Sequence, residues 1–286
     1  MGVERLKRSV DYWEQQYNPR IGIQDCERHF DNWRRRAAQA RAALHGLTNI
    51  PYGGHERERL DLFRSPASRG TLVFLHGGYW RAFGREDFSW IAQPFVQAGI
   101  TVVVPSYPLC PLADLPEICG SVSRAMEYIV RAVLTPAERQ RIVMAGHSAG
   151  AHLVAHYMAR LPQERRPGCT LDAAVCISGI FDLLPLLHTK LLSEMGWRAA
   201  GLHEVSPLYA PAPHRGQLML AVGGSETREF RRQSERLADA WAERCTKLLD
   251  VPGRNHFEVL DALCEPEQPL AREVLALFEH SSGEGQ

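Results

Sequence analysis

Between residues 59 and 279, short apolar runs alternate with longer runs of helical periodicity, and this alternation leaves few architectures open. Strand-length runs fall at 59–63, 71–76, 100–104, 141–145, 172–177, 217–222 and 246–250. Helix-length runs fall at 86–98, 117–133, 148–160, 226–244, 256–263 and 268–279. Near-continuous apolar strands separated by helices predict a mainly parallel central sheet flanked by helices on both faces. Ligands of such a sheet bind beyond the carboxyl ends of its strands. Residues that immediately follow a strand therefore carry the most functional weight.

Two loops in that position carry chemistry. Gly146-His147-Ser148-Ala149-Gly150 follows the strand run Ile142–Ala145 and opens the helical run Ala151–Ala155. A Gly-x-Ser-x-Gly elbow between strand and helix holds its serine at the apex of a sharp turn, where a histidine can take the hydroxyl proton. His76-Gly77-Gly78-Tyr79-Trp80 follows the strand run Leu72–Leu75. Acyl transfer builds negative charge on a carbonyl oxygen, and backbone N–H groups must be aimed at it. Gly77, Gly78 and Tyr79 can supply them from this loop, and Ala149, next after the serine, can supply another. The pair of motifs predicts an α/β-hydrolase fold with Ser148 as nucleophile.

The remaining partners follow from chain order, which in this fold runs nucleophile, acid, histidine. Of the twelve histidines, His256 stands in a loop after the last strand run, as the general base should. His147 and His152 flank the serine; the first is expected to point away and the second to pack. Glu226 follows the strand run 217–222 and a Gly-Gly turn, the place for the orienting acid. Asp182, after the preceding strand, is its main rival, and Glu229 is a third candidate.

Two amphipathic runs, 4–17 and 25–44, precede the first strand. Val10, Trp13 and Tyr17, then Phe30, Trp33, Ala37 and Ala40, recur at helical spacing and read as packing residues of an N-terminal helical segment, 1–45. These helices could pack against a second copy of the chain as readily as against their own core. Residues 181–214 break the strand–helix rhythm with short apolar pieces and Pro207, Pro211 and Pro213, so a small cap-like insertion is expected. The tail, 281–286, reads as flexible. With 286 residues and 45% hydrophobic content, one domain spanning 1–286 accommodates all of this.

A formal net charge of zero gives no footprint for nucleic acid or an anionic membrane, so the expected partner is a small-molecule substrate. Arg34-Arg35-Arg36 reads as a solvated helix face. Seven scattered cysteines without metal-like spacing fit a reduced, cytoplasmic protein with no metal and no cofactor.

With these residues in hand, the chain from about Tyr17 to Phe278 resembles the animal-type kynurenine formamidase (arylformamidase) family, in the hormone-sensitive-lipase-like branch of the α/β-hydrolases. His76–Trp80 is similar to that family's oxyanion loop, and Gly146–Leu153 to its nucleophile segment. Ser178–Leu183 with Ser206-Pro207-Leu208 resembles its cap region, and Asn255–Glu258 its Asp-His-Phe segment. Tyr107–Pro111 resembles the wider branch's Tyr-Arg-Leu-Ala-Pro segment, with Pro108 in place of the arginine. In Gly223–Phe230, Glu226 falls on the family's acid position, a glutamate where aspartate is usual. The resemblance implies hydrolysis of N-formyl-L-kynurenine to L-kynurenine and formate, with a carboxylesterase acting on small or aryl esters as the alternative. It implies a flat apolar slot for the aryl group, which Tyr79, Trp80, Phe181 or Trp197 could supply. Arg81, Arg85, Arg198 and His203 stand in loops from which they could meet the substrate's charged groups.

Overall fold

The computed structural model describes residues 9–164, 168, 170–195 and 201–279. The first helix, α1 (Val10–Tyr17), is capped by the Ser9 hydroxyl, which accepts from the Tyr12 N–H at 3.2 Å. Proline at the first position opens α2 (Pro19–Gly22), where no N–H is needed. The third helix, α3 (Cys26–Leu44), turns Phe30, Trp33, Ala37 and Ala40 inward. The expected helix at 4–17 is thus described from Val10 onward, and Val10 itself is exposed. Residues 4–8 and 281–286, Cys169, Trp197 and Arg198 lie outside the described residues.

Eight strands form one sheet: β1 (Leu47–Pro51), β2 (Arg59–Phe63), β3 (Thr71–Leu75), β4 (Thr101–Pro105), β5 (Ile142–His147), β6 (Ala173–Ile177), β7 (Gln217–Gly223) and β8 (Cys245–Val251). Their spatial order is β1-β2-β4-β3-β5-β6-β7-β8. The β1–β2 and β2–β4 pairs are antiparallel, and the others are parallel. Sequence periodicity did not signal β1, because this edge strand is almost wholly exposed and carries no buried alternating face.

The connecting helices are α4 (Arg85–Phe88), α5 (Ala92–Gln97), α6 (Leu115–Tyr128), α7 (Ala149–Ala159), α8 (Lys190–Met195), α9 (Arg228–Ala240), α10 (Val259–Cys264) and α11 (Pro269–Ala276). Strands β3, β4, β5 and β6 are buried throughout, as a sheet covered on both faces requires. One face packs on α1, α6, α7 and α9; the other packs on α3, α4, α5, α10 and α11. The single helix expected over 86–98 is two short helices joined by a 3₁₀ turn at Ser89–Ile91.

Helices α1 and α3 belong to opposite faces, so the chain between them passes around the sheet. It passes at the end of the sheet where Ser148 lies: Asn18, Pro19 and Arg20 border the same cavity as Ser148. The segment is anchored from both sides. Tyr17 Oη donates to Glu229 Oε2 at 3.1 Å, and Thr227 Oγ1 donates to the Gln16 carbonyl at 2.7 Å. On the other face, fully buried Asp61 accepts from Arg41 of α3 at 3.0 Å, from Arg85 at 3.1 Å and from the Asn49 N–H at 2.8 Å. The N-terminal helices therefore pack on their own core. Among the described residues no helix is long and apolar enough to cross a membrane, and none of the six described cysteines is in a disulfide.

Besides His256, four histidines, His76, His147, His152 and His156, are buried. Burial pushes His76 down to about 3, His152 to about 4 and His156 to about 2, and it holds His147 well below its ordinary value. In the unfolded chain each takes a proton near pH 6.5. The stability that rests on their neutrality is therefore full above about pH 6.5. It is lost as pH falls toward their folded values, by up to about 1.4 kcal/mol per pH unit for each histidine. The urea midpoint is expected to drop steeply between pH 6.5 and 4. A flat profile over that window would contradict neutral burial of the four rings.

Candidate active site

Ser148 sits between β5 and α7 with φ 56° and ψ −117°, a conformation that side chains rarely adopt. Two glycines make the elbow possible. A Cβ on Gly146 would lie 2.4 Å from the Gly150 carbonyl oxygen, and one on Gly150 would lie 2.1 Å from that of Leu75. Only bare Cα atoms allow β5, α7 and the end of β3 to approach this closely. Ala149 occupies the first position of α7, where its N–H has no partner within the helix and the helix dipole is positive.

The loop after β3 lies against this elbow. A Cβ on Gly77 would stand 3.2 Å from Ser148 Cβ, so the loop backbone runs beside Ser148. His76 Nδ1 bonds the Gly77 carbonyl at 2.8 Å; the carbonyl can only accept, so Nδ1 carries the proton. The His76 ring stacks on Tyr107, with centroids 4.3 Å apart, and Tyr107 Oη donates to the His76 carbonyl at 2.7 Å. With its C=O held by His76, the Gly77–Gly78 peptide directs the Gly78 N–H to the opposite side. Gly77, Gly78 and Tyr79 all line the cavity.

His256, in the loop after β8, is the only histidine other than His147 on that lining among the described residues. Its Nδ1 lies 2.6 Å from Glu226 Oε2, in a pair with side chains only 4% and 1% exposed. The carboxylate accepts the Nδ1 proton, which leaves Nε2 as the basic nitrogen. The other carboxylate oxygen, Oε1, accepts from the Ser178 hydroxyl at 2.5 Å and from the Gly223 N–H at 2.7 Å. Three donors thus hold both oxygens of Glu226. The two loops are also tied directly, since Ser225 N–H donates to the Arg254 carbonyl at 3.1 Å and Gly224 N–H to that of Val251 at 2.8 Å.

The rival acids are engaged elsewhere. Asp182 is fully buried, pairs with Arg236 at 2.6 Å, and accepts from Tyr209 Oη at 3.1 Å and from the Leu184 N–H at 3.1 Å. Glu229 accepts from Tyr17 at 3.1 Å and from Arg232 Nε at 2.8 Å.

Ser148 and His256 open on a cavity of about 390 Å³. Its apolar wall is built by Phe30 and Trp33 of α3 with Phe83, Phe88 and Phe257. Their rings interlock: Phe30 lies 5.1 Å from both Phe83 and Phe257, and Trp33 lies 5.7 Å from Phe257. Thr189, Lys190 and Leu191 bring the 181–214 segment to the rim.

Of the aromatic residues expected to hold substrate, Tyr79 lines the cavity, and its hydroxyl donates to the Tyr17 carbonyl. Trp80 does not. It is fully buried edge-on to His152, 5.1 Å away, and Phe181 is likewise fully buried beneath Gly179. Large rings at these positions gain more from complete burial than from bordering a solvated cavity. Arg85 is engaged with Asp61, and His203 stacks on Tyr209 at 4.2 Å, so of the expected polar contacts Arg81 alone among the described residues borders the cavity.

Three contributions escaped the sequence reading. Phe30 and Trp33 do pack, but they also face the cavity. His147 was expected to point away, yet it lines the cavity; its Nε2–H donates to the His256 carbonyl at 2.8 Å, with ring centroids 4.7 Å apart. Burial and the neighbouring His256 keep His147 neutral. Ser178 was assigned only to the cap. Its φ of 52°, directly after β6, is strain of the kind found at functional sites, and its place at a strand's carboxyl end was the available signal.

Residues 72–241 match the alpha/beta hydrolase fold family. The chain is similar to the kynurenine formamidase of Salmo salar, 27% identical with 97% of each chain covered. It is also similar to the kynurenine formamidase of Danio rerio, 27% identical with 94% of each covered. A solved Silicibacter sp. structure, provisionally described as a thioesterase, superposes with a TM-score of 0.82 at 29% identity, covering 92% of this chain and 97% of that one.

The geometry separates the candidate acids experimentally. Glu226→Gln is expected to lower kcat on the order of 10³-fold or more, because the wrong tautomer of His256 is then favoured. Asp182→Asn should act on stability and leave kcat within a few-fold. Ser178→Ala removes one of three donors and is expected to lower kcat about tenfold with little change in KM. Steady-state kinetics of the three variants check this, and a larger kcat loss in Asp182→Asn than in Glu226→Gln would reverse the assignment.

Proposed function

The chain belongs to the alpha/beta hydrolase fold family, and from that premise we propose that it is a kynurenine formamidase, a serine hydrolase converting N-formyl-L-kynurenine to L-kynurenine and formate. The observation that carries this reading is the end-to-end similarity to fish kynurenine formamidases, which takes in the N-terminal segment walling the cavity. The aromatic wall supports it, since a flat aryl amide presents the surface that such a wall covers.

Ser148 Oγ attacks the formyl carbon as His256 Nε2 takes its proton. The carbonyl electron pair moves onto oxygen, and the N–H groups of Gly78, Tyr79 and Ala149, with the Gly77 backbone shaping the loop, receive the oxyanion. Glu226 holds the His256 tautomer and stabilises the imidazolium. As the tetrahedral species collapses, the carbon–nitrogen bond breaks, and His256 returns the proton to the departing aryl amine. Water, deprotonated by His256, then attacks the Ser148 formyl ester; the bond from carbon to Ser148 Oγ breaks, His256 returns the proton to Oγ, and formate leaves. We place this chemistry in the cytoplasm, a location that fits the free thiols of the six described cysteines.

Purified protein is expected to turn over N-formyl-L-kynurenine in the presence of EDTA. Ser148→Ala should cut kcat by about 10⁴-fold or more without changing the unfolding midpoint. Kynurenine absorbance follows the reaction. No turnover, with p-nitrophenyl acetate still cleaved through Ser148, would hand the site to a carboxylesterase instead.

A further inference from the structure

The charges around the cavity are unevenly placed. The floor at Ser148, His256 and Gly78 and the wall of five aromatic rings carry no fixed charge. The charged residues that border the cavity are Glu14, Arg20, Arg81 and Lys190, and Glu14 is the one acid among the described lining residues. None of the four lies on a strand: Glu14 and Arg20 come from the N-terminal segment, Lys190 from the 181–214 segment, and Arg81 from the loop between β3 and α4.

Glu14 is half-buried on α1, a helix held in place by Trp13 stacking on Tyr17 and His188. One Glu14 oxygen, Oε1, accepts the Lys190 backbone N–H. A carboxylate has further acceptor sites, so Glu14 can take an ammonium as well. Arg20 is held with its guanidinium carbon 4.8 Å from the Phe30 ring centroid, over a ring that also forms the cavity wall. Its contact to Glu27, at 3.6 Å between exposed side chains, is weak. Arg81 extends from the turn just after the oxyanion loop.

We propose that the rim recognises the α-amino acid head group of the substrate, with Glu14 pairing with its ammonium and Arg20 and Arg81 pairing with its carboxylate. This inference rests on the formamidase reading for the identity of the aryl group. It adds that the N-terminal segment selects aryl amides bearing a zwitterion over neutral ones. The aromatic wall takes the ring of either kind, so discrimination falls to the rim charges. Charged pairs at a partly buried rim confer specificity through what they lose when the ligand's charge is absent.

Binding to the inert Ser148→Ala protein tests this without turnover. L-Kynurenine and 2-aminoacetophenone share the aryl ketone, and only the first carries the amino acid head. Calorimetry is expected to show L-kynurenine binding at least about tenfold tighter at low salt. Adding Glu14→Gln, which keeps an acceptor for the Lys190 N–H, or Arg20→Gln should remove most of that difference. Equal affinities for the two ligands, or equal losses for both in each variant, would overturn the proposal. Turnover of N-formyl-L-kynurenine by the unmutated enzyme reports separately on the reaction, so failure of one reading is not mistaken for failure of the other.

Discussion

The close approach of three backbones at the elbow is the constraint on which the site depends. Gly146 meets Gly150, and Gly150 meets the carbonyl of Leu75, at separations no side chain permits. That contact forces the left-handed turn at Ser148 and also brings the end of β3 against the start of α7. Ser148 and the loop after β3 are therefore one packed unit rather than two loops that happen to face each other. A methyl group at Gly150 would separate both at once.

The histidine and acid form a second unit, built on the adjoining strands β7 and β8. Glu226 carries an extra methylene compared with aspartate, and the surrounding donors absorb it. Oε2 reaches His256 Nδ1, while Ser178 and the Gly223 N–H fix Oε1. A longer, more flexible carboxylate has more rotamers to lose, and two extra hydrogen bonds offset that loss. His147 joins the two units, because it leaves the elbow backbone and grips the carbonyl of His256. A neutral ring suits this task, since a second cation beside His256 would disfavour the imidazolium formed during reaction.

Much of this was legible in the sequence because local chemistry dictated it. The strand expected at 59–63 is β2 without adjustment, and those expected at 217–222 and 246–250 match β7 and β8 within a residue at each end. Ser148, Gly78 and His256 follow from strand–loop–strand order, which the fold fixes. Sequence position left Glu226 and Asp182 open, because they follow adjacent strands; their tertiary partners separate them, His256 for the first and Arg236 for the second. Position in sequence could not reveal Phe30 and Trp33 as cavity wall: a helical stripe looks the same whether it faces only core or also a cavity. Trp80 and Phe181 failed for the converse reason, since proximity to a functional loop does not fix the side on which a ring is buried.

The path of the N-terminal segment has a further consequence. It starts on one face of the sheet, crosses the catalytic end and finishes on the other, so its residues reach the cavity without contributing a strand, an elbow or a member of the triad. Part of the cavity's wall and rim is thus written in a stretch of chain separate from Ser148, Glu226 and His256. Substitutions between residues 14 and 33 would reshape the cavity's border while Ser148, His256 and Glu226 stay fixed.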